Sequence, residues 1–554
     1  MSNYLTNNDS ERAVAAKRRR KLWLASGVAG LTGVVSLAAV GVATGAGAVG
    51  TDGLKWSTAQ QVSKDGEQGA DREEKGREGE EGREGEEGRE GEEGRDRHDK
   101  NRDHKDRGRE VPCDSDKLIQ AIIFANNNHG GELDLAKDCT YTLTRSDNYG
   151  NGLPVIKEKI TLKGHDTKIE RDATADHFRI LNVGSGGHLT LKGLTIKNGK
   201  TLERKKDPLV TPEAVWSRYA NSVEATAAAK AGKPYLPLLQ AAPKGAAAAQ
   251  AAAKADAGVL EEPEANDGAG ILVQPGGTAD IEKSHIVRNQ AGGNGGGIAN
   301  FGKTSLRHTT VAENTAFFFG GGILNAGVLR VEESNVTHNN AGIGGAGISN
   351  GAPGIFRDDV DGGTVSIEKT EISGNNTYGF GGGLLDIEGN TTIQHSKITD
   401  NTALIAGGGI AAADDSQLYL KHVLIAKNVT GGVGGGLALA FQANATVEKS
   451  EIKENVAGFF GGGVFNLFSR VTFRDSDIVG NQAPGLIGIG GGIFNVFGKV
   501  SLHDTKVAGN SSTHKPGGVF NFGGKVEVDD KSAIKGNDPT NCKGSPSNVP
   551  NCFG

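Results

Sequence analysis

The chain has one methionine and three tryptophans in 554 residues, and aromatic residues make up only 5% of it. One bulky globular core is a poor fit to that balance, whereas many small inward-facing side chains suit it well. Cysteine is equally scarce. Cys113 and Cys139 lie near one end, Cys542 and Cys552 near the other, and none lies between Cys139 and Cys542. Neither pair has the CxxC spacing of a zinc site, so the even count predicts two local disulfides and oxidising surroundings. Beyond the first residues there is no basic stripe interleaved with aromatics, and the net charge is −6. Nucleic acid is therefore not an expected partner.

What is abundant is glycine, 86 residues of it, arranged in short runs. A period of about 26 residues extends from about Asp280 to Asn510. Each copy reads apolar, two residues, Ser or Thr, one residue, apolar, two residues, Asn. The nine asparagines are Asn289, Asn314, Asn339, Asn375, Asn401, Asn428, Asn455, Asn481 and Asn510. Only Val423 breaks the hydroxyl column, which otherwise runs Ser284, Thr309, Ser334, Thr370, Ser396, Ser450, Ser476 and Thr505. A second part of the repeat is a glycine turn followed by apolar, any residue, Asn, as at Ile298/Asn300, Ile323/Asn325 and Ile493/Asn495. Three middle copies carry Asp386, Ala412 and Leu439 in place of that asparagine.

Short strands with apolar alternation, separated by turns at a fixed period, cannot each bury a face alone and must stack. The predicted fold is all-β: a single-stranded right-handed parallel β-helix, since crossovers between parallel strands are right-handed. Stacking at the ~4.8 Å interstrand distance turns each apolar column into a stripe of core. It also lets each asparagine bond amide to amide with the next. Glycine-rich, β-branched runs such as Gly485 to Gly492 argue against a helical solenoid.

The rest of the chain divides around these coils. Residues 1–51 open with Lys17 to Lys21 and continue through an uncharged stretch to Thr51, which predicts a signal peptide or membrane anchor. Arg19-Arg20-Lys21-Leu22-Trp23 resembles a twin-arginine export pattern, with a Sec signal left open. Either reading makes the protein secreted or anchored outside the cytoplasmic membrane, touching a membrane only through this segment. Residues 52–110 include three tandem Gly-Arg-Glu-Gly-Glu-Glu hexapeptides between Gly76 and Glu93, the composition of a disordered charged stalk. Residues 111–199 hold a cap helix and the first coils, with Ser115 as N-cap and Leu118, Ile119, Ile122 and Ile123 on one face. An Ala-rich insertion at 200–266 precedes the regular coils of 267–540, and 541–554 form a C-terminal disulfide cap.

Ala125-Asn126-Asn127, Leu133-Asp134-Leu135-Ala136 and Cys139-Thr140-Tyr141-Thr142-Leu143 resemble a segment of exported bacterial β-helix proteins in the pectate-lyase-like superfamily. The Gly-Gly-Gly-Ile-x-Asn turns also resemble repeats of polymorphic membrane protein adhesins, although their Phe-x-x-Asn partner motif does not recur. The first resemblance implies lyases that use carboxylate-bound calcium with an Arg or Lys base, or hydrolases that use several aspartates. Asp358-Asp359 and Asp414-Asp415 are isolated pairs and do not assemble those sets. The remaining catalytic candidates are His395 and His422, one above the other in the repeat, with Asp414 and Asp415 in the intervening turn. Lys283, Glu333, Lys369, Lys449, Asp475 and Asp504 share the histidine column, as on a solvated sheet exterior. No cofactor or metal is expected. The sequence thus points to a non-catalytic surface for adhesion or for a polysaccharide or cell-surface glycan, with a polysaccharide lyase or glycoside hydrolase as the rival.

Overall fold

In the computed structural model, residues 108–201, 266–352 and 360–554 are described. They form a right-handed parallel β-solenoid of about 13 turns with a single α-helix near its N-terminal end. The leader and most of the stalk, the bulk of the insertion and the pair Asp358-Asp359 lie outside the described residues. No helix among the described residues is long and apolar enough to cross a membrane.

One regular coil shows how the repeat folds. Lys303–Arg307 is a long strand, Thr310–Ala312 a second, Thr315–Ala316 a third, and Ile323–Asn325 follows the glycine turn. Each pairs in parallel with its counterpart one coil on: Leu306 with Val331, Val311 with Val336, Thr315 with Asn340 and Ile323 with Ile348. The apolar residues of the repeat point inward from three sides. Leu306, Val311 and Ile323 are fully buried, as are Leu420, Ile425 and Leu437 four coils later. At the turn before Leu437, Gly434 adopts φ +67°, and a Cβ on Gly435 would sit 2.4 Å from the carbonyl oxygen of Gly462. Only glycine fits both positions.

The corner between the first two strands has a different solution. Lys283, His308, Glu333, Lys369, His395, His422, Lys449, Asp475 and Asp504 all take φ between 46° and 54°. The hydroxyl column closes these tight left-handed corners. Ser334 Oγ, for instance, donates to the Glu332 carbonyl (2.6 Å) and accepts from the Thr309 amide of the preceding coil (3.0 Å). In the earlier coils, Lys159–Arg171 and His188–Lys197 run past the corresponding corner as continuous long strands.

Both ends are closed. The helix α1, Ser115–Asn127, lays Leu118, Ala121, Ile122 and Ala125 against the first coils. Its N-cap is Asp114, not Ser115. Asp114 Oδ1 accepts from the amides of Asp116 (2.8 Å) and Lys117 (3.0 Å), while Ser115 Oγ instead donates to the Thr142 carbonyl at 2.8 Å. Ile123 faces outward at 46% exposure, so the buried face is narrower than the apolar pattern suggests. Cys113–Cys139 ties the start of the helix to the first coil, and Cys542–Cys552 closes the C-terminal segment, with Cα separations of 5.8 and 6.2 Å. Val549 and Asn551 of that segment cover the last turn, Asn551 donating to the Val528 carbonyl at 3.0 Å. The insertion leaves at Thr201 and returns at Asn266, where Thr201 Oγ1 donates to the Asn266 carbonyl, and pairing resumes in register between Leu181–Val183 and Ile271–Val273.

Candidate binding surface

The asparagine column is a continuous internal ladder. Asn428 Oδ1 accepts from both the amide and the Nδ2 of Asn401 (3.0 Å each), and Asn428 Nδ2 donates to Asn455 Oδ1 and to the Ile398 carbonyl (2.9 Å each). The same pattern links Asn289, Asn314, Asn339, Asn375, Asn401, Asn428, Asn455, Asn481 and Asn510. It continues to Asn537 and ends on Asn541 Oδ1. These side chains are buried and fully engaged, which gives them a structural role and removes them from any ligand.

His395 and His422 do meet. Their rings stack with centroids 4.9 Å apart and planes 13° from parallel, on adjacent exposed corners. Asp414 and Asp415 do not join them. They sit at the other end of the long strand Gln417–Lys421, whose five residues at about 3.3 Å each place them roughly 16 Å away. Their corner follows Ile410–Ala413 and stacks under Phe441, with the Asp415 amide donating to the Phe441 carbonyl at 3.3 Å. Among the described residues no group of three or more His, Cys, Asp or Glu could hold a metal ion.

The corner under which Asp415 lies carries a feature that the repeat reading missed. Phe441, Phe468 and Phe497 occupy it in successive coils with φ of 52°, 50° and 52°, and Phe522 follows. Ring centroids are 6.4, 5.2 and 5.3 Å apart along this series. Phe468, Phe497 and Phe522 remain 51%, 49% and 45% exposed. A bulky side chain at positive φ costs about 1 kcal/mol or more. Glycine would occupy the corner without that cost, as Gly523 does one coil on. Half-exposed rings recover only part of the burial energy, so packing alone is a weak reason for phenylalanine here.

Beside the rings, the first outward position of the long strands reads Asn444, Arg470, Lys499 and Lys525 in register. Lys499 and Lys525 flank Glu527 at 2.9 and 2.7 Å, and with Ser501 they hold its carboxyl down to about 2. No acidic side chain among the described residues pairs with Arg470. Aromatic faces thus run parallel to a row of cations. The signal lay in the triplets Asn466-Leu467-Phe468 and Asn495-Val496-Phe497, where phenylalanine follows the second asparagine by two residues.

The aromatics that precede the glycine turns in sequence behave differently. Phe319 and Phe380 are buried in a second apolar cluster with Leu324, Leu385, Phe465 and Phe494, and Phe460 packs against it. These residues lie on the outer side of the glycine-turn strands, separate from the inner core.

Residues 323–512 match the Beta_helix family, described as a right handed beta helix region. Among solved structures, PfbA, a surface adhesin of Streptococcus pneumoniae, aligns at 10% identity over 74% of this chain and 89% of its own, with a TM-score of 0.36. The A-module of the mannuronan C-5 epimerase AlgE6 of Azotobacter vinelandii aligns at 14% identity over 79% and 95%, with a TM-score of 0.27. At these scores neither likeness bears on function. No curated protein matches the chain.

Proposed function

We propose that this is an exported, non-catalytic β-helix that binds acidic polysaccharide along the Phe441–Phe522 ladder. The observation that carries the reading is two phenylalanines, Phe468 and Phe497, held half-exposed in left-handed corners, with half-exposed Phe522 next in the series, beside Arg470, Lys499 and Lys525. Pyranose rings present C–H faces that stack on aromatic rings, and their carboxylates complement the cation row. The coil spacing repeats both contacts along the solenoid, so a polymer gains several weak contacts at once. Two disulfides and a charged stalk suit a protein held outside the cytoplasm.

The test is Phe468→Gly/Phe497→Gly in the full chain, assayed for retention and cleavage of alginate, pectate and neutral dextran. Wild type is expected to retain the two acidic polymers without releasing products. The double variant should bind them at least tenfold more weakly, about 1.4 kcal/mol, while its urea midpoint stays the same or rises because the left-handed strain is relieved. Unchanged retention, or product release by wild type, would defeat the reading. A large loss of stability in the double variant would show the ladder to be structural.

A further inference from the structure

The stacked histidines stand apart from the phenylalanine ladder, at the opposite corner of the long strands. Their column runs His308, Glu333, Lys369, His395, His422, Lys449, with backbone bonds fixing each residue above the next. Toward the N-terminus the charges cancel: Glu333 lies 3.3 Å from both His308 and Lys369. From Lys369 to Lys449 the corner then carries four basic or protonatable groups in succession and no acid.

Flanking positions sharpen this. On the long-strand side the neighbours are Glu368, Gln394, Lys421 and Glu448, and on the second-strand side Glu371, Lys397, Leu424 and Glu451. Of the acids, Glu448 accepts from Tyr419 Oη at 2.9 Å and pairs with Arg474 at 3.3 Å, and Glu451 pairs with Lys453 at 2.7 Å. Glu371 accepts from Ser373 Oγ at 2.9 Å. No carboxylate among the described residues pairs with Lys397, Lys421 or Lys449. The two imidazoles therefore sit among three lysines without ion-pair partners.

We propose that His395 and His422, with Lys397, Lys421 and Lys449, form a second binding site for an anionic oxygen group, a sulfate or a carboxylate, that strengthens on acidification. Two stacked neutral imidazoles are compatible with one another; two imidazolium rings at 4.9 Å repel unless an anion lies against them. Loss of hydration, then His395, Lys449 and Lys421, hold the His422 imidazole below its ordinary value. The His422 ring therefore resists protonation until an anion lies against it. Protonation and anion binding favour each other, because a bound anion raises the proton affinity of both rings. Histidine is the side chain whose charge ordinarily changes near neutral pH, so it is the group through which acidification acts here.

The site shares an acidic ligand with the proposal above but is tested apart from it. Ring signals of isotope-labelled histidines in the full chain are titrated by NMR with inorganic sulfate and with matched chloride. Alginate oligosaccharide then supplies the carboxylate arm. His395→Asn/His422→Asn is the paired variant, since asparagine tolerates the left-handed corner. Sulfate or the oligosaccharide, but not chloride, should move the His422 titration upward. Binding of the effective anion should be roughly five- to tenfold tighter at about pH 5 than at about pH 7.5. The asparagine variant should lose that increment, and Phe468→Gly/Phe497→Gly should keep it. Titration curves identical in sulfate, oligosaccharide and chloride, or an increment that survives in the asparagine variant, would overturn the site.

Discussion

Replacing Asn428, an interior rung of the asparagine ladder, with alanine is expected to cost about 3–5 kcal/mol. Three buried groups lose their partner at once: the Asn401 amide, the Asn401 Nδ2 and the Ile398 carbonyl. Each orphaned group costs about 1–3 kcal/mol, and water entering the small void offsets part of the sum. The loss should be local, because each coil contacts only its neighbours. In hydrogen exchange, the Asn401 amide and the strands around Ile398 and Ile425 should lose protection, while coils around Leu162 and Leu191 keep theirs. A uniform loss along the solenoid would show that the coils unfold as one unit. No loss at Asn401 would mean that the ladder contributes shape and not energy.

The same ladder shows how far a repeat reading reaches. Register is legible because each residue type in the repeat satisfies one physical demand: apolar residues inside, a hydroxyl at the corner, an amide that bonds to its own kind. Asn537 escaped because Asp529-Asp530-Lys531 adds one residue to the last corner, so the spacing from Val528 to Ser532 no longer fits. The hydroxyl bond from the Thr505 amide to Ser532 Oγ (3.0 Å) nevertheless shows that the coil is equivalent. Corner conformation was not legible. Lys, His, Glu and Asp all occupy the left-handed corner after the long strand, and no residue type announces it.

Surface sites were harder still, for a geometric reason. Asp415 and His422 are seven residues apart in sequence, yet an extended strand separates them, whereas His395 and His422 are distant in sequence and touch. In a solenoid, proximity follows the period and not the count along the chain. The phenylalanine corners obey the period too, but their meaning depends on exposure, which the apolar pattern does not carry. Phe465 and Phe468 are three residues apart, one buried and the other half-exposed.

Asp386→Asn is expected to stabilise the protein by about 2–3 kcal/mol at neutral pH. Asp386 stands in the second asparagine column, between Asn350 and Ala412, and is fully buried. Oδ1 accepts from the Gly389 amide at 3.0 Å and from Asn350 Nδ2 at 3.3 Å, but Oδ2 has no partner. Burial raises its carboxyl from 3.8 to about 6, against the lowering effect of bonds from Thr391, Asn350 and Gly389. At 1.36 kcal/mol per factor of ten in proton affinity, that difference is worth about 3 kcal/mol. The sign follows from which state holds the proton. Below 3.8 both folded and unfolded chains are protonated, and the penalty is absent. Between 3.8 and about 6 the folded chain binds the proton and the unfolded chain does not, so stability falls as pH rises; above about 6 the penalty is complete. Asparagine keeps the Oδ1 bonds and adds an Nδ2 donor. Asn466, Asn495 and Asn521 each donate to the carbonyl three residues on, at 3.1–3.2 Å, and Gly389 offers the equivalent oxygen here. Urea midpoints measured from about pH 4 to about pH 8 should therefore diverge, with the variant gaining steadily over wild type up to about pH 6 and holding that lead above it. Parallel curves would mean that Asp386 does not titrate in this interval. A variant less stable than wild type at neutral pH would mean that the buried carboxylate has a partner stronger than any amide.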